Sequence, residues 1–230
     1  MDQSPRDVIS KTQIDRLGER LKKGSLNESD LRTLDDYRKS FGSAYKEVVR
    51  EIHEQLKLDP TGRPAKSTSS IIEKLKRESI RLSQMQDISG CRIVVNNVLE
   101  QDKVVVSLQR IFSITSIVDR RIRPSFGYRA VHVIVEIMEK SVEVQVRTEL
   151  QHAWAELSEK FSDQIDPAIK YGGGDEAIQT KLFVSSQVLE LSELLIRKYG
   201  KDQFDFERKL IEIFNKAAMK IPDEKRKRKL

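Results

Sequence analysis

Cysteine appears once in 230 residues, at Cys91, so no disulfide can form within the chain, which suits a reducing cytoplasm. No apolar run approaches the length needed to cross a bilayer, and the opening "MDQSPRDVISKTQ" lacks the basic-then-apolar order of a signal peptide. The expectation is a cytoplasmic chain with no membrane partner. No internal repeat or low-complexity segment stands out apart from "GGG" at 172–174, which reads as a flexible turn. That run lacks the spacing of either glycine-rich phosphate-binding motif, so it implies no cofactor. Excess charge is scarcer than the net +6 suggests, because residues 223–230, "DEKRKRKL", hold five positive and two negative charges. The tail supplies +3 and the rest of the chain only +3. That balance excludes a generically basic nucleic-acid binder, and an anionic partner must be held by a local cluster.

What is there is mostly periodic. Leu31, Leu34, Phe41, Tyr45, Val48, Ile52 and Leu56 recur at helical spacing and predict one long amphipathic helix over 28–57. "KLDPTGRPAKS" is loop chemistry, and Ser70 with Glu73 predicts a capped helix running towards Gln84. "GCRIVVNN" reads as a strand and "QDKVVVSLQRIF" as a helix. Further strands are expected at 114–119, 131–137 and 142–147, then helices from about Glu149, Glu176 and Asp202. Helices bracketing such strands give an α/β sandwich layered on one sheet. Two late apolar stripes, Ile178, Leu182, Leu189 and Ile196, then Leu210, Ile213, Phe214 and Ala217, either cap the domain or build an oligomer interface.

Several polar groups carry possible chemistry. Lys74, Arg77 and Arg81 share one stripe of the helix from Ser70, and Arg63 and Lys66 sit in the loop just upstream. Asp87 precedes the strand that carries Arg92. In "SVEVQVRT" Val142, Val144 and Val146 alternate with Glu143, Gln145 and Arg147, and a following helix with His152 and Trp154 would partly cover that polar face. Tyr128 and Arg129 follow Gly127 at the mouth of a strand. Each cluster alone fits a solvated face or a turn. Together they hold two carboxylates, which suffice for a magnesium ion that keeps water and phosphate oxygens as its other ligands. They add cations for polyphosphate and a ring on which a base can stack.

In this order and spacing, "TGRPAKSTSSIIEKLKR", "DISGCRIVV", "GYRAVH" and "VEVQVRTELQHAWAE" resemble the synthetase domain of the RelA/SpoT family, above all its single-domain small alarmone synthetases. The resemblance implies a nucleotidyltransferase-like mixed β-sheet of about four to five strands flanked by helices, with helical N- and C-terminal extensions. It divides the chain into a helical extension at 1–42, a synthetase core at 43–170, C-terminal helices at 171–222 and a basic tail at 223–230. It implies transfer of pyrophosphate from ATP to the 3'-hydroxyl of GDP or GTP, releasing AMP. Residue by residue, it makes Asp87 and Glu143 the catalytic and Mg2+-binding acids, with Glu143 drawing the proton from the attacking hydroxyl. Lys66, Lys74, Arg77, Arg92 and Arg63 would grip ATP. Tyr128, Gln145, His152 and Arg123 would meet the acceptor, Arg123 in place of a phosphate-binding lysine of the family, and Arg147 and His132 would support them.

His53, His132 and His152 are the only histidines and none precedes an aspartate, so the His-Asp mark of the family's hydrolase domain is missing and no hydrolase activity is expected. Two other readings stay open. One is a toxin-type relative that pyrophosphorylates the 3'-terminal adenosine of tRNA, with Lys22, Lys23 and Lys225 to Lys229 as a basic surface and an antitoxin as partner. The other is a catalytically silent nucleotide-binding sensor. A homo-oligomer through the C-terminal helices is a further possibility.

Overall fold

The computed structural model describes residues 9–199 and 204–220; the basic tail at 223–230, Lys225 to Lys229 included, lies outside the described residues. Ser10 opens the first helix, α1 (Lys11–Lys23), by a reciprocal cap: its hydroxyl accepts from the Gln13 backbone N–H at 3.3 Å, and the Gln13 side chain accepts from the Ser10 N–H at 2.8 Å. Asn27 and Asp30 cap α2 (Glu28–Lys39) in the same way. The single helix expected over 28–57 is two. The Ser40 hydroxyl donates back to the Tyr37 carbonyl at 2.6 Å, Phe41 turns into the core with its ring edge-on to Tyr37, and α3 (Gly42–Glu51) starts afresh, ending in a π-helical turn at Ile52–Leu56.

The next prediction is corrected similarly. Helix α4 (Thr68–Arg77) is capped by Ser67, whose hydroxyl accepts from the Ser70 N–H at 3.3 Å, so Ser70 lies inside the first turn. The helix stops at Arg77 rather than running to Gln84. Extended backbone from Glu78 instead carries Leu82 and Met85 into a core made by Ile14, Leu17 and Leu21 of α1 with Ile71 and Leu75 of α4. Burying each of those aliphatic side chains is worth roughly 1.5–3 kcal/mol, more than one further turn of exposed helix returns. Arg81 therefore leaves the Lys74–Arg77 stripe; it is exposed, 3.7 Å from Asp15.

Five strands form one sheet: β1 (Thr61–Arg63), β2 (Ser89–Val95), β3 (Ser113–Asp119), β4 (Val131–Ile137) and β5 (Lys140–Thr148), in the order β1-β2-β5-β4-β3. The mixed α/β architecture with helical extensions at both ends is the one the sequence predicts. β4 and β5 are joined by Met138 and Glu139, both with positive φ, the two-residue turn that matches strand twist in a hairpin. The helices α5 (Val98–Ile111), α6 (Glu149–Gln164), α7 (Glu176–Tyr199) and α8 (Phe204–Lys220) complete the chain.

The described residues fall into two compact units. The first takes residues up to 91 with 111–115 and 134–144, and is cored by α1, α2, α4 and the Leu82–Ile88 segment. The second takes 92–110, 116–133 and the residues from 145 onward. Its core gathers Leu150, Ala153, Trp154 and Leu157 of α6, Leu182 and Leu189 of α7, and Phe214 of α8, with Ile178, Leu210 and Ala217 packed against them. The late apolar stripes thus cap α6. Ile213 departs from that stripe and is exposed, as are Phe183, Val184, Leu191 and Leu194 on the other side of α7.

Candidate active site

In the first unit, everything converges on Asp87. Lys66 is pinned by its backbone: its N–H donates to the Ile88 carbonyl at 2.6 Å, and its own carbonyl accepts from Arg38 Nε at 2.7 Å. Its ammonium then reaches Asp87 Oδ2 at 2.7 Å. Lys74, in the second turn of α4, stands 3.0 Å from Oδ1. Burial alone would push the Asp87 carboxyl up, but the attraction of Lys66 and Lys74 outweighs it and holds the group below the usual carboxylate range. Two cations thus share one carboxylate that is itself only 16 % exposed.

Glu143 is half-buried on β5 between the fully buried Val142 and Val144. β2 runs very close beneath it: a Cβ added at Gly90 would lie 2.8 Å from the Glu143 carbonyl oxygen and 3.4 Å from its Cβ. Arg77 is exposed at the end of α4 and donates to Glu78 at 3.1 Å, and the same carboxylate lies 3.8 Å from the Lys74 ammonium. The Arg63 side chain lies outside the described residues.

In the second unit, Tyr128 sits on a tight turn closed by two hydrogen bonds with Ser125. Gly127, at φ +87°, is required there, since a Cβ would meet the Trp154 ring at 2.8 Å. The Tyr128 hydroxyl is held by His132 Nε2 at 2.9 Å and accepts from Arg147 Nη2 at 3.0 Å, and the Arg147 guanidinium lies 5.0 Å from the centre of the ring. The same Nη2 donates to the Gln145 carbonyl oxygen at 2.9 Å. Arg147 and His132 thus both contact the Tyr128 hydroxyl.

Arg92 donates to Glu156 at 3.2 Å and stands 3.5 Å from His152 Nδ1. Burial, reinforced by the Arg92 charge, pushes the His152 imidazole below its ordinary value, so it is neutral at neutral pH. Trp154 is buried against α7, donating to the Leu182 carbonyl at 3.2 Å and Ser185 Oγ at 2.8 Å. Arg123 is exposed and has no hydrogen bond or ion pair among the described residues, so it joins neither cluster.

A family model described as a region found in RelA / SpoT proteins matches residues 62–162, which carry Lys66, Lys74, Asp87, Tyr128 and Glu143. Residues 62–162 are thus similar to that region of RelA / SpoT proteins. The uncharacterized protein Rv1366 of Mycobacterium tuberculosis is 35 % identical over 131 residues, covering 55 % of this chain and 48 % of its own. The chain thus spans about half the length of the curated relatives it matches. Among solved structures, small alarmone synthetase 1 of Bacillus subtilis is 24 % identical with a TM-score of 0.55, covering 75 % of this chain and 96 % of that one. A second structure of that synthetase, 23 % identical with a TM-score of 0.54 and covering 75 % and 96 %, is bound to its product pppGpp. The protein smu.1046c of Streptococcus mutans is 25 % identical with a TM-score of 0.54, covering 78 % and 98 %. These likenesses fix the fold.

Within the RelA/SpoT region the test for a divalent cation is the state of the acids. Asp87 Oδ1 is buried and accepts no hydrogen bond; the Lys74 contact is an ion pair without hydrogen-bond geometry. Asp87 fits as one carboxylate ligand, at a position that the Lys66 and Lys74 ammonium groups share.

Two members of this neighbourhood escaped the sequence reading. Glu156, four residues after His152 on α6, pairs with Arg92; its i,i+4 position was the available signal. Glu193 of α7 had none. Buried, it accepts from Thr148 Oγ1 at 2.6 Å and Gln151 Nε2 at 3.0 Å, at the turn where β5 enters α6. Burial pushes its carboxyl up, against those hydrogen bonds and the charges of Arg129 and Arg121. A raised folded pKa means that the folded chain holds the proton more firmly than the unfolded chain does. This contribution to stability is full below the ordinary carboxylate range and is lost as pH rises through the raised value. Glu193→Gln is expected to gain stability over the parent progressively from acid to neutral pH in urea titrations; a constant offset at all pH values would contradict this.

Proposed function

We propose that the chain transfers the β,γ-pyrophosphate of ATP to the 3'-hydroxyl of GDP or GTP, giving guanosine tetra- or pentaphosphate and AMP. The observation that carries this reading is the clasp of Lys66 and Lys74 on the partly buried Asp87. Such a clasp binds polyphosphate and brings one acid to it. Lys66 and Lys74 take the ATP phosphates, with Arg92 and, from the end of α4, Arg77 as further cations. Asp87 and Glu143 would hold Mg2+, which when bound neutralises phosphate charge. Glu143 takes the proton of the attacking hydroxyl. Tyr128 stacks on the acceptor base, with Gln145 and the neutral His152 available for hydrogen bonds. Catalysis of this type is mostly alignment and charge neutralisation, and the fold shared with a synthetase whose product is pppGpp supports it.

The decisive experiment incubates the purified chain and Mg2+ with γ-labelled ATP and, separately, GDP, GTP and deacylated tRNA. Label is expected on GDP or GTP, with a shallow response to salt and no loss when residues 225–230 are deleted. Transfer to tRNA alone, falling steeply with salt as several phosphate contacts demand, would replace this acceptor with the tRNA 3' end. Lys22 is already paired with Glu19 at 3.1 Å, which weakens the basic surface that reading needs. A homo-oligomer, if formed through the C-terminal helices, would use the exposed Phe183, Val184, Leu191 and Leu194 rather than the buried stripe.

A further inference from the structure

Arg147 is 2 % exposed, yet only one of its three guanidinium nitrogens has partners. Both hydrogens of Nη2 are engaged, one by the Tyr128 hydroxyl at 3.0 Å and one by the Gln145 carbonyl oxygen at 2.9 Å. Nε and Nη1 are buried without any hydrogen bond, and no carboxylate among the described residues pairs with the charge. A buried guanidinium normally sits in a carboxylate fork. Arg129, one strand away in the sequence, shows the normal case: Glu190 at 2.6 Å, Ser186 at 3.2 Å and the Arg121 carbonyl at 2.7 Å satisfy all three of its nitrogens. Arg129 is there for the fold. Arg147 costs the fold stability, so its retention requires another explanation.

We infer that Arg147 is a positioning residue for the acceptor nucleotide: its Nη2 ties the Tyr128 hydroxyl to the Gln145 carbonyl, and the chain carries an uncompensated buried charge to keep that tie. The inference rests on the acceptor-side reading proposed above. Tyr128 has one hydroxyl bond to His132 that fixes only the end of its ring; the second bond, with the guanidinium over the ring, fixes its plane. Gln145 has an amide whose two ends differ only in chemistry. Arginine has donors and no acceptor, so the carbonyl end must face Arg147 and the amide flip is set. One side chain thereby orders an aromatic platform and a hydrogen-bonding amide before any nucleotide arrives, which lowers the ordering cost of binding.

Arg147→Met keeps an unbranched apolar stem and removes the buried charge. Its Tm is expected to match the parent or rise, by roughly 2–4 °C for each 1 kcal/mol regained. Its KM for GDP and the Kd for GDP in calorimetry should rise by roughly threefold to tenfold, the value of a lost hydrogen bond, with the KM for ATP unmoved. Arg147→Lys, which keeps charge but cannot bridge the two acceptors, should not restore GDP affinity. Tyr128→Phe combined with Arg147→Met should weaken GDP binding by less than the product of the single effects, because both remove the same tie. A clear fall in Tm for Arg147→Met, a parallel loss for ATP and GDP, or full rescue by lysine would each overturn the inference. If the parent transfers pyrophosphate to GDP and Arg147→Met leaves the GDP KM unchanged, the inference fails and the reaction stands. If GDP binds, and binds more weakly to the variant, but receives no pyrophosphate, the reaction fails and the inference stands.

Discussion

Glu143→Gln is expected to lower turnover by at least about a hundredfold, with the affinities for ATP and GDP little changed. The substitution keeps the size of the side chain but removes the negative charge that takes a proton. It leaves the strand intact, because Val142 and Val144 on either side remain fully buried and the close approach of Gly90 involves the Glu143 backbone and Cβ, which glutamine shares. Rapid-quench measurement of AMP release separates the chemical step from binding. Turnover near that of the parent would remove Glu143 from the mechanism and leave Asp87 as the sole acid to be tested.

Trp154→Ala should be the most destabilising single change in the second unit. The indole is 1 % exposed, packs against Gly127, and donates to the Leu182 carbonyl and Ser185, so its loss empties a large volume and removes a buried donor at once. Truncation of a buried tryptophan costs about 3–5 kcal/mol, or a Tm lower by roughly 6–20 °C. Below the transition the Tyr128 turn should also loosen, since Gly127 would lose the surface against which it is wedged. Differential scanning calorimetry, with hydrogen exchange at Tyr128 and Arg129, checks both. A drop of less than about 1 kcal/mol would show that α7 closes over the gap.

Alternation carried much of the fold: β4 runs over Val131–Ile137 as its period-two pattern predicts, and α6 and α7 start at Glu149 and Glu176 as expected. Where the reading failed, distant partners decided the outcome. Thr61–Arg63 is three residues inside Pro/Gly-rich chemistry, and it is a strand only because β2 lies alongside, close enough that a Cβ on Gly62 would meet the Gly90 carbonyl at 2.5 Å. The helix expected to reach Gln84 gives way because Leu82 is worth more in the core against α1. The same holds for the site. Lys66, Lys74 and Asp87 meet as their residue types suggest, and Arg77, on the same helical stripe as Lys74, is linked to it through Glu78. Tyr128 and Arg129 are neighbours with opposite fates, and what buries Arg129 is Glu190, 61 residues further on. No local pattern announces such a partner.

Cys91 lies one residue from Gly90 in β2, buried, with its thiol pushed up to about 12 by that burial and then by the charge of Glu143. At neutral pH it is therefore neither ionised nor reachable, and thiolate is the form that alkylating reagents attack. The unmodified chain should resist maleimide dyes for as long as β2 stays in the sheet. Two practical uses follow. A cysteine placed at an exposed position such as Glu159 would take a single fluorophore without first removing the native thiol. The slow labelling of Cys91 itself would serve as a clock for the opening of the strand that carries Arg92.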